Sequence, residues 1–255
     1  MSFLRSIFES KFAEPRFQPP PVPAQLSTLA TPTAAQLAAF SQPSPDALKL
    51  LTLQQTPSQY LAALQEKQMG GEMVKTIAHG LPDREGVMWA AQSAAKISDK
   101  LPPGEVHALQ AAQAWAKNPT AATQAAAAAA AAKTNLQGPG ALAAQAAAWA
   151  KPAATGAARL TPHAVSAAVL LSAAIVAFPK LAVPKDKVPG VAMPPPVIPP
   201  LATPPPATFV SAPLADSTSV PPPLIPPKIQ EQTFKTQHPF IAMGLDIAGG
   251  KLPVG

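Results

Sequence analysis

The placement of prolines constrains this chain more than any other feature. A proline removes a backbone donor and breaks the interior of a helix or strand. The chain holds 35 of them in 255 residues. Eight fall in residues 1–45 and sixteen in residues 184–227. Only nine lie between 46 and 180, mostly where a helix could begin or end. This distribution argues against one domain spanning the whole chain. It predicts a folded centre between two Pro-rich arms.

Within residues 46–180 the punctuation reads as helix starts and stops. Ser44-Pro45-Asp46 offers an N-cap with proline at N1, and Thr56-Pro57-Ser58-Gln59 a capping box. Gly70-Gly71 reads as a break before a helix carrying Met73, Val74 and Ile77. Further helices are expected after Leu81-Pro82, Pro102-Pro103, Asn118-Pro119-Thr120, Gly138-Pro139-Gly140 and Thr161-Pro162. The expected fold is therefore all-α, a small multi-helix domain of about eight short Ala-rich helices without strands. Alanine lets helix backbones approach closely but buries little area per residue, so Trp89, Trp115, Trp149 and the leucines are the expected anchors. The string Ala-Trp-Ala-Lys occurs at 114–117 and 148–151, a 34-residue offset that suits stacked helical hairpins.

The flanks divide into four pieces. Residues 1–14 place Phe3, Leu4, Ile7, Phe8 and Phe12 on one helical stripe, an amphipathic docking helix. Residues 15–45 read as a Pro-rich linker, and residues 181–233 as a longer, disordered one. Residues 234–255 regain apolar character at Phe234, Phe240, Ile241, Met243, Leu245 and Ile247, with Pro239 among them. A flexible stretch has no need of these side chains, so the segment reads as a second docking peptide.

Several chemistries lack their residues. The chain has no cysteine, which excludes a disulfide framework and thiolate ligands or nucleophiles. His79, His107, His163 and His238 show no metal-ligand spacing. There is no GxSxG, and the tail GLDIAGGKL lacks the spacing and hydroxyl residue of a phosphate loop. Asp83 and Glu85 sit in a first helical turn, where acids favour the helix dipole. The net charge is +6, spread without a Lys/Arg cluster, so no nucleic-acid partner is expected. No acidic residue lies between Glu105 and Asp186, an interval that holds Lys117, Lys133, Lys151, Arg159 and Lys180. The apolar run 164–178 is shorter than the roughly 20 residues of a membrane span and reads as a buried helix.

The succession SQYLAAL (58–64), IAHGLPDREGVMWAAQSAA (77–95), LPPGEVHALQAAQAWAKNPT (101–120) and LTPHAVSAAVLLSA (160–173) resembles an uncharacterised family of bacterial all-helical domains, over roughly residues 56–178. That family has no assigned catalytic residues, and the resemblance implies an association with type VI secretion gene neighbourhoods. The expectation is a cytoplasmic, non-enzymatic adaptor without cofactor or metal. It tethers protein partners through the apolar residues at its two ends. The alternative is a membrane-associated protein held by residues 164–178 or by the N-terminal amphipathic helix.

Overall fold

The computed structural model describes residues 17–30, 33–151, 159–179 and 226–251. Among these residues the fold is all-α, with ten α-helices and one 3-10 turn at Ser98–Lys100. They are α1 (Ala34–Ser41), α2 (Pro45–Leu48), α3 (Pro57–Glu66), α4 (Gly70–Gly80) and α5 (Asp83–Ala95). Then follow α6 (Pro103–Lys117), α7 (Ala121–Lys133), α8 (Pro139–Trp149), α9 (Thr161–Ala177) and α10 (Pro227–Ala248).

The expected caps are formed. The Ser44 hydroxyl accepts from Ala47 N–H at 3.3 Å at the head of α2. Thr56 and Gln59 close a reciprocal capping box on α3, and Thr120 caps the alanine-rich α7. Other starts differ from expectation. Gly70-Gly71 does not break the chain; it opens α4. The Thr161 hydroxyl does not cap α9, because it donates to Asp83 Oδ2 at 3.2 Å. The leucine-rich stretch after Pro45 yields a single turn of helix, and Leu53 is 89% exposed.

The short helix α8 lies at the centre, packed against α5, α6, α7 and α9. Its Ala141, Ala143, Ala144, Ala146 and Ala147 are buried, and their small side chains make room for four neighbours around three turns. Both ends of α8 are satisfied by side chains from elsewhere. The buried Glu105 carboxylate accepts from Ala141 N–H at 2.8 Å, with the Gly138 and Gly140 amides adding to it. At the other end, Gln124 Nε2 donates to the carbonyls of Ala147, Ala148 and Ala150 at 3.3, 3.1 and 2.7 Å. Gly140 is required here, because any side chain would strike the Glu105 backbone carbonyl. The two Ala-Trp-Ala-Lys strings end α6 and α8, which pack on each other. The first is capped by Arg84 Nε donating to Ala116 O at 2.9 Å. Of the expected anchors, Trp89 and Trp115 are buried but Trp149 is 39% exposed, because it closes the last turn of α8 at the surface.

The apolar helix α9 packs against α4, α5, α8 and α10, burying Val165, Val169 and Ile175. Residues 15–45 are more than a linker where they are described. Phe17, Val22, Leu26 and Leu29 lie against the core, and Leu37 of α1 is fully buried. Leu29 and Leu37 press on Gly80 at the end of α4, where a Cβ would come within 2.9 Å of Leu29. The expected long linker 181–233 is shorter at its far end, since α10 already begins at Pro227. Residues 180–225 and 1–16 lie outside the described residues, and so do 31–32, 152–158 and 252–255.

Candidate interaction site

Among the described residues, α10 is held in a groove formed by α4, α5 and α9. One stripe of α10 enters it. Phe234, His238, Ile241, Leu245 and Ala248 recur at i, i+4, i+7, i+11 and i+14, and all are buried. Beside the stripe, Trp89 of α5 lies on the backbone of α10. Its Nε1–H donates to Phe240 O at 2.9 Å. A Cβ at Gly244 would come within 2.6 Å of the indole ring, so only glycine admits this approach. Gly70, at the start of α4, is likewise covered by Phe234 and Gln237.

The N-terminal residues seal the groove from outside. Phe17 meets the His238 ring edge-on at 5.3 Å and Phe234 at 6.4 Å. Thr28 N–H donates to Ala248 O at 2.9 Å, and Ala30 N–H to Gly80 O at 2.9 Å. The His238 Nε2 atom is buried without a hydrogen-bond partner among the described residues, and burial pushes this imidazole's pKa down. The opposite side of α10 faces solvent beside a cavity of about 390 Å³ against α5. Pro239, Ala242, Met243 and Ile247 form its apolar part, with Gln92 and Lys96 across from them and Asp246 and Lys251 at the rim.

A second cluster joins the two ends of the bundle's middle. Asp83, at the head of α5, accepts from Arg159 Nη2 through Oδ1 and from Lys151 N–H at 2.8 Å through Oδ2. Arg159 also donates to Leu81 O at 2.9 Å. The Asp83 carboxylate is therefore more than a first-turn acid: it is half of a buried ion pair that staples the chain at both sides of residues 152–158. Nearby, buried His79 meets exposed His163 edge-on at 4.9 Å. Burial first, then His163, Arg159 and Lys75, push the His79 pKa down to about 4. The Glu105 carboxyl is pushed up by its burial, against the pull of three amide donors. No group of three or more His, Asp or Glu side chains suited to a metal occurs among the described residues.

The sequence-predicted contact residues separate into three sets. Phe3, Leu4, Ile7, Phe8 and Phe12 lie outside the described residues. Phe234, Phe240, Ile241, Leu245 and Ile247 are placed in this chain's own core, where a free docking peptide would have left them exposed. Their apolar character is met by α4, α5 and α9 of the same chain. Pro239 is exposed and Met243 half-buried, and both line the cavity with Ile247. The sequence reading missed Trp89, Gly244, His238 and Phe17 as parts of one site. The available signals were a glycine inside an apolar helical stripe and a histidine at the i+4 position from Phe234.

No helix among the described residues is long and apolar enough to cross a membrane. Neither the curated proteins nor the solved structures hold a match to the chain. Residues 60–182 match a family of unknown function (DUF6931), a span that takes in the groove-forming α4, α5 and α9 and ends before α10.

Proposed function

We propose that this chain is a non-enzymatic adaptor that joins protein partners through apolar helices. We place it in the cytoplasm, as an accessory of a bacterial secretion apparatus of the type VI kind. The observation that carries the reading is the seating of α10, a helix-in-groove contact of the kind used in peptide recognition. The domain presents a groove that takes an amphipathic helix, α10. The buried acids add support, because each is committed to structure: Asp83 to Arg159 and Glu105 to the head of α8. In this reading the C-terminal apolar helix acts within the chain. The N-terminal stripe of Phe3, Leu4, Ile7, Phe8 and Phe12 is the arm offered to partners. Helix α9, the candidate membrane anchor, has its apolar face spent on four other helices.

Affinity capture from native lysate tests this with two full-length baits and one truncation: wild type, Phe8→Asp with Phe12→Asp, and a chain lacking residues 1–14. The expected result is that one set of partners disappears with both N-terminal changes. A partner set that is unchanged by either would remove the adaptor reading in this form.

A further inference from the structure

The groove and its occupant have separate origins along the chain. Helices α4, α5 and α9 lie in the family-matched residues 60–182, whereas α10 begins only at Pro227, after residues 180–225. Every packing partner of α10 described above belongs to residues 17–179. A second copy of the chain therefore presents the same groove, the same Trp89 and the same Phe17. We propose that α10 is an exchangeable element: it seats in the groove of a second copy as well as in its own, giving a reciprocal dimer. This inference does not rest on the adaptor reading.

Three observations favour this occupant. The contact is specific in shape, because the Gly244 backbone and the Phe240 carbonyl of α10 both meet Trp89 of α5. The connection is long: the 49 residues between α9 and α10 span at most on the order of 160–175 Å, far enough to enter a neighbouring copy. The helix also depends on its groove. Pro239 interrupts the hydrogen-bond ladder in mid-helix, so α10 gains its 22-residue helical form together with its seat. Exchange keeps every native contact, so only effective concentration chooses between cis and trans. The dimer is therefore expected to form as chain concentration rises towards the effective concentration of the tethered helix.

Shortening the connection reverses the choice. Deleting residues 180–225 from the otherwise full chain joins Phe178-Pro179 directly to Pro226-Pro227. Three consecutive prolines hold extended backbone and oppose a tight reversal. Gel filtration with light scattering should give twice the monomer mass for this variant. The same deletion with Gly244→Trp, which cannot seat α10 against Trp89, should return to the monomer mass. A folded deletion variant that is monomeric, or a dimer indifferent to Gly244→Trp, overturns the proposal. If circular dichroism shows the deletion variant unfolded, a labelled peptide of residues 226–251 decides the question, titrated into full-length Gly244→Trp chain. Saturable binding, weakened at least tenfold when the peptide carries the same substitution, supports exchange. No saturable binding overturns it.

Discussion

Gly244 and Gly71 both sit inside helices, yet their surroundings differ. Gly244 has the indole of Trp89 against its α-carbon, while nothing lies within 4 Å of a Cβ built on Gly71. Alanine relieves the helix penalty of glycine by up to about 1 kcal/mol at either site. At Gly244 it also overpacks a rigid ring, at about 1–3 kcal/mol. Gly244→Ala is therefore expected to lower stability by about 1–2 kcal/mol, and Gly71→Ala to raise it by about 0.5–1 kcal/mol. Urea denaturation of the two variants beside wild type checks both signs. His79 gives a pH-dependent counterpart. Its pKa falls from 6.5 to about 4 on folding, so between those values the unfolded chain binds more protons and stability rises with pH. The contribution is complete above pH 6.5 and disappears as pH falls through 4, up to on the order of 3 kcal/mol. Burial of His238 adds in the same direction, while the raised Glu105 pKa acts oppositely, its contribution being lost as pH rises. The slope lost in His79→Gln, measured as the difference in stability from wild type across pH 4–7, isolates the one group.

At the scale of elements, α8 carries more neighbours than its eleven residues would suggest, because both of its ends are closed by side chains from other helices. Removing the carboxylate with Glu105→Ala leaves buried amides of Gly138, Gly140 and Ala141 without their acceptor. A loss of about 2–3 kcal/mol is expected, read as a lower thermal midpoint by circular dichroism. Much of the element map was legible. Thr56, Thr120 and Ser44 announced their helices, and Gly138-Pro139-Gly140 announced the start of α8, because caps and breaks are local. What the sequence concealed is pairing over distance. Glu105 carried no assigned role in the sequence, because its part as the cap of α8 depends on a contact 36 residues away. Asp83 read as a dipole acid for the same reason, although Arg159 lies 76 residues on. Leu53 and Trp149 show the opposite error: large apolar side chains were expected in the core, but neither lies there, because helix ends and turns place side chains by geometry before hydrophobicity.

For the whole molecule, the apolar character of the C-terminal segment was readable, but its destination was not. Phe234, Ile241 and Leu245 look the same in sequence whether they meet another protein or their own core. The deciding partners, Trp89 and Phe17, stand 151 and 217 residues away from Phe240 and Phe234 respectively. Since α10 is held by packing and by Trp89, covalent continuity through residues 180–225 is expected to be dispensable once the protein has folded. A site-specific protease sequence inserted after Leu201 and cleaved in the native protein should leave both fragments co-eluting on gel filtration. They should separate only in denaturant; separation under native conditions would contradict the packing described for α10.

The order in which the chain is made gives the late helix a further significance. Synthesis proceeds at about 5–20 residues per second, so the 49 residues between α9 and α10 take about two to ten seconds. Throughout that interval α4, α5 and α9 can already have assembled, with Trp89 uncovered and nothing of their own to place on it. Each newly made molecule thus has a brief period in which its groove can stand complete before its own α10 exists to fill it.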